Sequence, residues 1–227
     1  PVFSLVILFT VWLPVLVCAA ALRQTESHVF MAMAAACIAA VFVIVMYATI
    51  GDVEAWWRSL LTEMLDSSFP TASKEQFKQA IEIAPPLMNA VLASSIVLSL
   101  IVTVLIARWW QAALFNPGGF GKEFQTFCLP KQLALPSIIA MGLMFLENLA
   151  FGSVLRDLLV IVVILYLFQG IASVHRTVNQ KAMSRNWLVG MYCLLVFLPQ
   201  IMIVFIAWIG MTDSMLGGQA RTGGDKD

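Results

Sequence analysis

The chain has 227 residues, 61% of them hydrophobic and only 11% charged, with a formal net charge of zero and a mean hydropathy of +0.91. A soluble domain cannot keep that much apolar surface out of water, so the solvent for most of this sequence is a bilayer. Zero net charge, with no basic run standing clear of the apolar segments, argues against a nucleic-acid partner.

Six apolar runs follow one another, at about 2–22, 29–50, 86–109, 135–154, 158–174 and 187–211. Each approaches the roughly 20 residues that a helix needs to cross a hydrocarbon core ~30 Å thick. A barrel would instead show alternating segments of about ten residues. The expected fold is therefore all-α: a polytopic transmembrane helix bundle of about six spans, forming one unit over 1–211, with a polar, flexible tail at 212–227. The sequence opens on Pro1 inside apolar sequence, without the basic start or small-residue cleavage site of a signal peptide. Further N-terminal residues, whole helices among them, are expected to precede it.

In the second run, Ala32, Ala36 and Ala40 form a small-xxx-small ridge that lets another helix approach closely, within the chain or in a second subunit. Between runs two and three, the segment 51–85 places apolar residues three and four apart from Val53 to Leu65, with acids opposite. Ser73-Lys74-Glu75-Gln76 then has capping-box spacing and opens a second short helix, which Pro85-Pro86 ends. This predicts an extracytoplasmic amphipathic helical hairpin anchored by Trp56 and Trp57, lying on the membrane surface or serving as a lid or docking face.

After the third run, Trp109 and Trp110 suit a headgroup-level span end. Asn116-Pro117-Gly118-Gly119 reads as a turn, because proline fixes one φ and glycine permits a positive one. Phe120, Phe124 and Phe127 follow at spacings of four and three, a stripe expected on an interfacial helix within the cytoplasmic segment 111–134. Neither Walker spacing nor a Lys-Ser/Thr pair accompanies the glycines, so they are not a phosphate loop.

Glu147 in the fourth run is the one acidic residue inside any of the six, and a carboxyl group at membrane depth is costly unless neutral, paired or wet. With Asn148, Gln169, Asn89 and Gln200 it forms the candidate polar pocket, although Asn and Gln at such depth also serve as interhelical glue. Arg156-Asp157 is read as a minimal loop making runs four and five a tight hairpin, and Pro199-Gln200 as a bend in run six. Cys18, Cys37, Cys128 and Cys193 lack metal spacing, and His28 and His175 stand alone, so no metal site or cofactor is expected.

Loops on one side carry seven Lys/Arg against two acids, and those on the other six against ten. The basic loops thus face the cytoplasm and 51–85 faces outward; parity then puts the C-terminal tail outside.

The blocks Ala107-Arg108-Trp109-Trp110-Gln111-Ala112, Phe115 to Phe124, Leu129-Pro130 and Tyr166 to His175 carry a likeness. Through them the chain resembles the YybS-like family of bacterial inner-membrane proteins, a domain of unknown function distantly similar to the S components of energy-coupling-factor transporters. The resemblance implies a multi-pass inner-membrane protein with additional N-terminal helices. It also implies a small-molecule solute, a vitamin or metal ion in S components, and pairing with an energising module. It supplies no catalytic residues, and the Gly-rich tail departs from the aromatic and basic ending of that family.

Three functions follow. In the first, a solute-binding or transport module, the polar residues line a midplane pocket, 51–85 gates it, and Trp109, Trp110 and Asn116 to Phe120 couple to a membrane protein partner. The second is a non-catalytic scaffold or assembly subunit of a larger inner-membrane complex. The third, an intramembrane enzyme with Glu147 as base, ranks last, since no nucleophile–base arrangement, HExxH or GxSxG is present.

Overall fold

The computed structural model describes residues 2–68, 77, 79, 81–146 and 151–216. Every regular element among them is helical. α1 (Val2–Ile7) continues through a π-helical segment, Leu8–Trp12, into α2 (Leu13–Thr25). α3 (His28–Ile50) leads to α4 (Val53–Ser68), and α5 (Pro85–Phe115) to the short α6 (Gly119–Gln125). α7 (Lys131–Leu143), α8 (Gly152–Gln180), α9 (Asn186–Phe197) and α10 (Pro199–Met215) complete the chain. Among the described residues, four helices are long and apolar enough to cross a membrane: Leu8–Thr25, His28–Ile50, Pro85–Phe115 and Gly152–Gln180. Large apolar side chains such as Phe30, Val41, Leu135 and Val204 face outward, as lipid rather than water requires.

α8 is the central helix, packed against α3, α5 and α10. Its contact with α10 is backbone-close: a Cβ on Gly170 would fall 1.9 Å from the carbonyl oxygen of Ile206, and one on Gly210 would fall 2.1 Å from that of Tyr166. Only glycine allows this crossing, which works as small residues do in membrane helix pairs. Val97, Ile101, Ile161 and Leu165 are buried between the helices in the apolar middle of the bundle.

Three features differ from expectation. Arg156 and Asp157 are not a loop but lie in the first two turns of α8. Nothing between Val154 and Leu158 has turn chemistry, so the helix begins at Gly152 and carries both charges inward. Where the fourth run was expected, α7 has only 13 residues, with Pro136 inside it.

The sixth run does not merely bend. Leu198, out of helical conformation at φ −131° and ψ 56° before Pro199, ends α9, and α10 folds back beside it. Trp187 and Met191 of α9 therefore line one cavity with Phe205 and Ile209 of α10. With 12 residues, α9 reaches only about 18 Å before this reversal. As a result Asp213 and Ser214, near the end of α10, meet Arg176 and Leu129 at the end of the bundle that holds the basic loops. The parity argument for the tail is overturned: α10 ends at the basic end. α10 also continues four residues past 211, since no helix breaker occurs before Gly217.

Of the expected 51–85 hairpin, α4 forms the first arm and buries Val53 and Trp57 on the bundle. The arm opened at Ser73 to Gln76 lies outside the described residues.

Candidate functional site

The residues expected to share one pocket are dispersed. Glu147 and Asn148 lie outside the described residues. Gln200 is exposed at the start of α10, whereas Asn89 and Gln169 are buried at different depths. Asn89 bonds to Asp157, and Gln169 lies twelve residues farther along α8, or about 18 Å. Two polar clusters result, one at each end.

At the acidic end, α3, α5 and α8 converge within a turn or two of their termini. The Asp157 carboxyl is fully buried, at 0% exposure. Its Oδ2 accepts from the Tyr47 hydroxyl at 3.0 Å and from Asn89 Nδ2 at 2.7 Å. Arg156 donates to the carbonyl of Pro86, and its Nε lies 3.5 Å from Asp157 Oδ1, close enough to pair with the charge but not to form a hydrogen bond. Three buried atoms are thus left without a hydrogen-bond partner: Asp157 Oδ1, Asn89 Oδ1 and Arg156 Nε. Buried polar atoms are normally satisfied, and one left bare costs about 1–3 kcal/mol. Beside them is a cavity of about 250 Å³, lined by Tyr47, Asn89, Ser153 and Arg156 and bordered by Asp52 and Glu54. Asp157 and Arg156 had been assigned to a loop. The clue to their real place was the missing turn residue after Val154.

The cluster at the basic end is saturated. Arg176 Nη2 donates to both Asp213 oxygens, at 2.6 and 2.7 Å, while Nη1 donates to the carbonyl of Gln125 at 2.8 Å. Gln169 Nε2 donates to Asp213 Oδ2 at 3.2 Å, and Gln169 Oε1 accepts from the Leu129 amide at 3.1 Å. Ser214 donates to the Leu129 carbonyl at 3.1 Å. This network ties the 126–130 connection, α8 and α10 together. Arg176 had been placed in a loop and Asp213 in the tail, but unbroken helical sequence carries both into the bundle.

Next to this network, Gly118 takes φ +84° in the 116–119 turn, and the Gly119 amide donates to the Asn116 carbonyl at 2.9 Å. Arg108 Nε donates to Glu123 Oε2 at 3.0 Å and clamps α6 onto α5. The phenylalanine stripe turns into the bundle: Phe120 stacks on Phe124 at 6.0 Å and meets the His28 ring edge-on, and Phe127 is buried. Trp109 and Trp110 are exposed on α5. On α3, Ala32 is fully buried, while Ala36 and Ala40 are half-buried beside the buried line Ala35, Ala39 and Val43. Among the described residues no group of three His, Cys, Asp or Glu could hold a metal ion.

Residues 23–214 match the family described as a predicted membrane protein, DUF2232. The chain belongs to that family of integral membrane proteins of unknown function. No curated protein and no solved structure matches it.

Proposed function

We propose that this DUF2232 protein is a non-catalytic solute-binding module of transport type, multi-pass in the bacterial inner membrane, with its site in the cavity at the Asp157 end. One observation carries the reading: Asn89 and Arg156, which bear an unbonded buried acceptor and an unbonded buried donor, line one 250 Å³ space, and Asp157, with its bare Oδ1, lies behind them. The space corresponds to roughly eight waters, below the roughly 300–1,000 Å³ of drug-sized sites. The ligand is therefore small. It must donate to the Asn89 oxygen and accept from the guanidinium that Asp157 holds in place, which fits an amino acid, amide or polyol. A bare cation would meet Arg156 without satisfying it.

The middle of the bundle is apolar, which disfavours a polar midplane pocket, so we place the site at one end. Charge asymmetry orients that end outward, with about six spans in all, 51–85 as an extracytoplasmic element bordering the cavity, and the 116–120 turn at the cytoplasmic face. A YybS-like module similar to an energy-coupling-factor S component would bind in this way and use a partner for energy.

The test is thermal stabilisation of the purified protein by a panel of amino acids, amides and polyols, with sodium chloride as the bare-ion control. At least one probe should raise the melting temperature of wild type in a concentration-dependent way and leave Asp157→Asn unmoved. A flat panel, or equal shifts in both proteins, overturns the reading.

A second reading, a scaffold subunit, draws on Trp110, Leu114 and Phe115, which are strongly exposed beside the Asn116 turn. Stoichiometric copurification of another membrane protein, lost on Leu114→Glu/Phe115→Glu, would favour it.

A further inference from the structure

The reversal at Leu198-Pro199 leaves space on the opposite flank of α8 from the Asp157 site. α10 sits tightly on α8 through Gly170 and Gly210, but α9 leans away and touches α8 at its basic end, where His175 Nε2 lies 2.8 Å from the Tyr192 hydroxyl. Between the three helices is a cavity of about 770 Å³, walled by Val174, Met183, Trp187, Met191, Phe205 and Ile209. Its polar groups, Ser184 and Asn186 among them, lie beside the 181–185 connection. That connection carries Lys181 and Arg185 and no acid; both cations are exposed, and neither is in an ion pair among the described residues.

We propose that this cavity holds one anionic phospholipid, an acyl chain within the apolar walls and its phosphate at Lys181 and Arg185. Two observations select that occupant. The walls are apolar and the cationic groups lie at one end only, which matches an amphiphile rather than a soluble ligand. Unpaired cations complement an anionic headgroup, and each basic residue near a membrane surface adds to the attraction. Gly190 on α9 faces the open space, since a Cβ there would meet nothing within 4 Å.

The experiment reconstitutes the full chain in nanodiscs of equal parts phosphatidylglycerol and phosphatidylcholine, then counts phospholipids retained after detergent release by native mass spectrometry. Wild type should keep one phosphatidylglycerol per chain, preferred about tenfold over phosphatidylcholine. Lys181→Glu/Arg185→Glu, on exposed residues that leave the fold alone, should remove the preference. Gly190→Leu should put a branched side chain into the cavity and weaken retention of both lipids. Equal retention of the two lipids by wild type would overturn the proposal, as would unchanged retention by Gly190→Leu. A two-copy species that Gly190→Leu dissociates without changing lipid content would assign the cavity to a second copy instead.

Discussion

The two ends of this bundle solve the same electrostatic problem in opposite ways. Each buries a carboxylate and an arginine contributed by helices that would otherwise be apolar. At the basic end the Arg176–Asp213 cluster is paired: Arg176 spans Asp213 and the Gln125 carbonyl, and Gln169 is used at both its donor and its acceptor, while His28 Nε2 nearby is buried without a partner. At the acidic end Asp157 uses one oxygen and leaves the other bare, as do Asn89 and Arg156 with an atom each. A saturated network has nothing left to offer a ligand and acts as a clamp. An unsaturated one beside a cavity stores unused binding capacity.

Substitutions can break that contrast. The largest expected effect is at the clamp: Arg176→Ala strands Asp213 and should cost about 3–5 kcal/mol, read as lost folded protein in a denaturant titration in detergent. Arg176→Ala/Asp213→Ala should cost less than the sum of the single changes, because each single change leaves a charge behind. Next comes the α8–α10 crossing that holds the clamp in place. Gly170→Ala drives a methyl into the Ile206 carbonyl and should cost about 1–3 kcal/mol in the same titration.

At the acidic end the ranking of stability and binding reverses. Asp157→Asn keeps the shape and one acceptor, so its stability cost should be about 1.5 kcal/mol, while stabilisation by solute disappears. If Asp157→Asn proved as damaging as Arg176→Ala, both ends would be structural and the contrast would fail. The smallest effect sharpens the measurement: Ala182, at φ +48° after α8, is a strained left-handed residue, and Ala182→Gly should stabilise by about 1 kcal/mol.

The bilayer-sized helices were legible because composition and run length alone determine them, and the 116–119 turn because proline and glycine constrain φ directly. Asp157, Arg176 and Asp213 were not. Adjacent charges suggest loops, yet a helix accepts them when partners on other helices meet them, and pairing across 110 positions (Tyr47 with Asp157) leaves no mark in local pattern. The reversal at Leu198-Pro199 was half legible. Proline announces a break, but whether the chain bends or folds back depends on the Arg176–Asp213 and Leu129–Ser214 contacts that receive α10. Glu147 stands out as the sole acid of an apolar run, a measure that passes over Asp157 because the apolar run begins at 158 while the helix begins at Gly152.

The central claim is that the Asp157 end is built to hold a solute. A map of the protein in lipid nanodiscs, with the stabilising amino acid, amide or polyol present, tests it most directly. The account predicts compact density in the cavity within hydrogen-bond reach of Asn89 Oδ1 and the Arg156 guanidinium together. An empty cavity, with the Arg156 guanidinium closed onto Asp157 Oδ1 and no density beside Asn89, would contradict it.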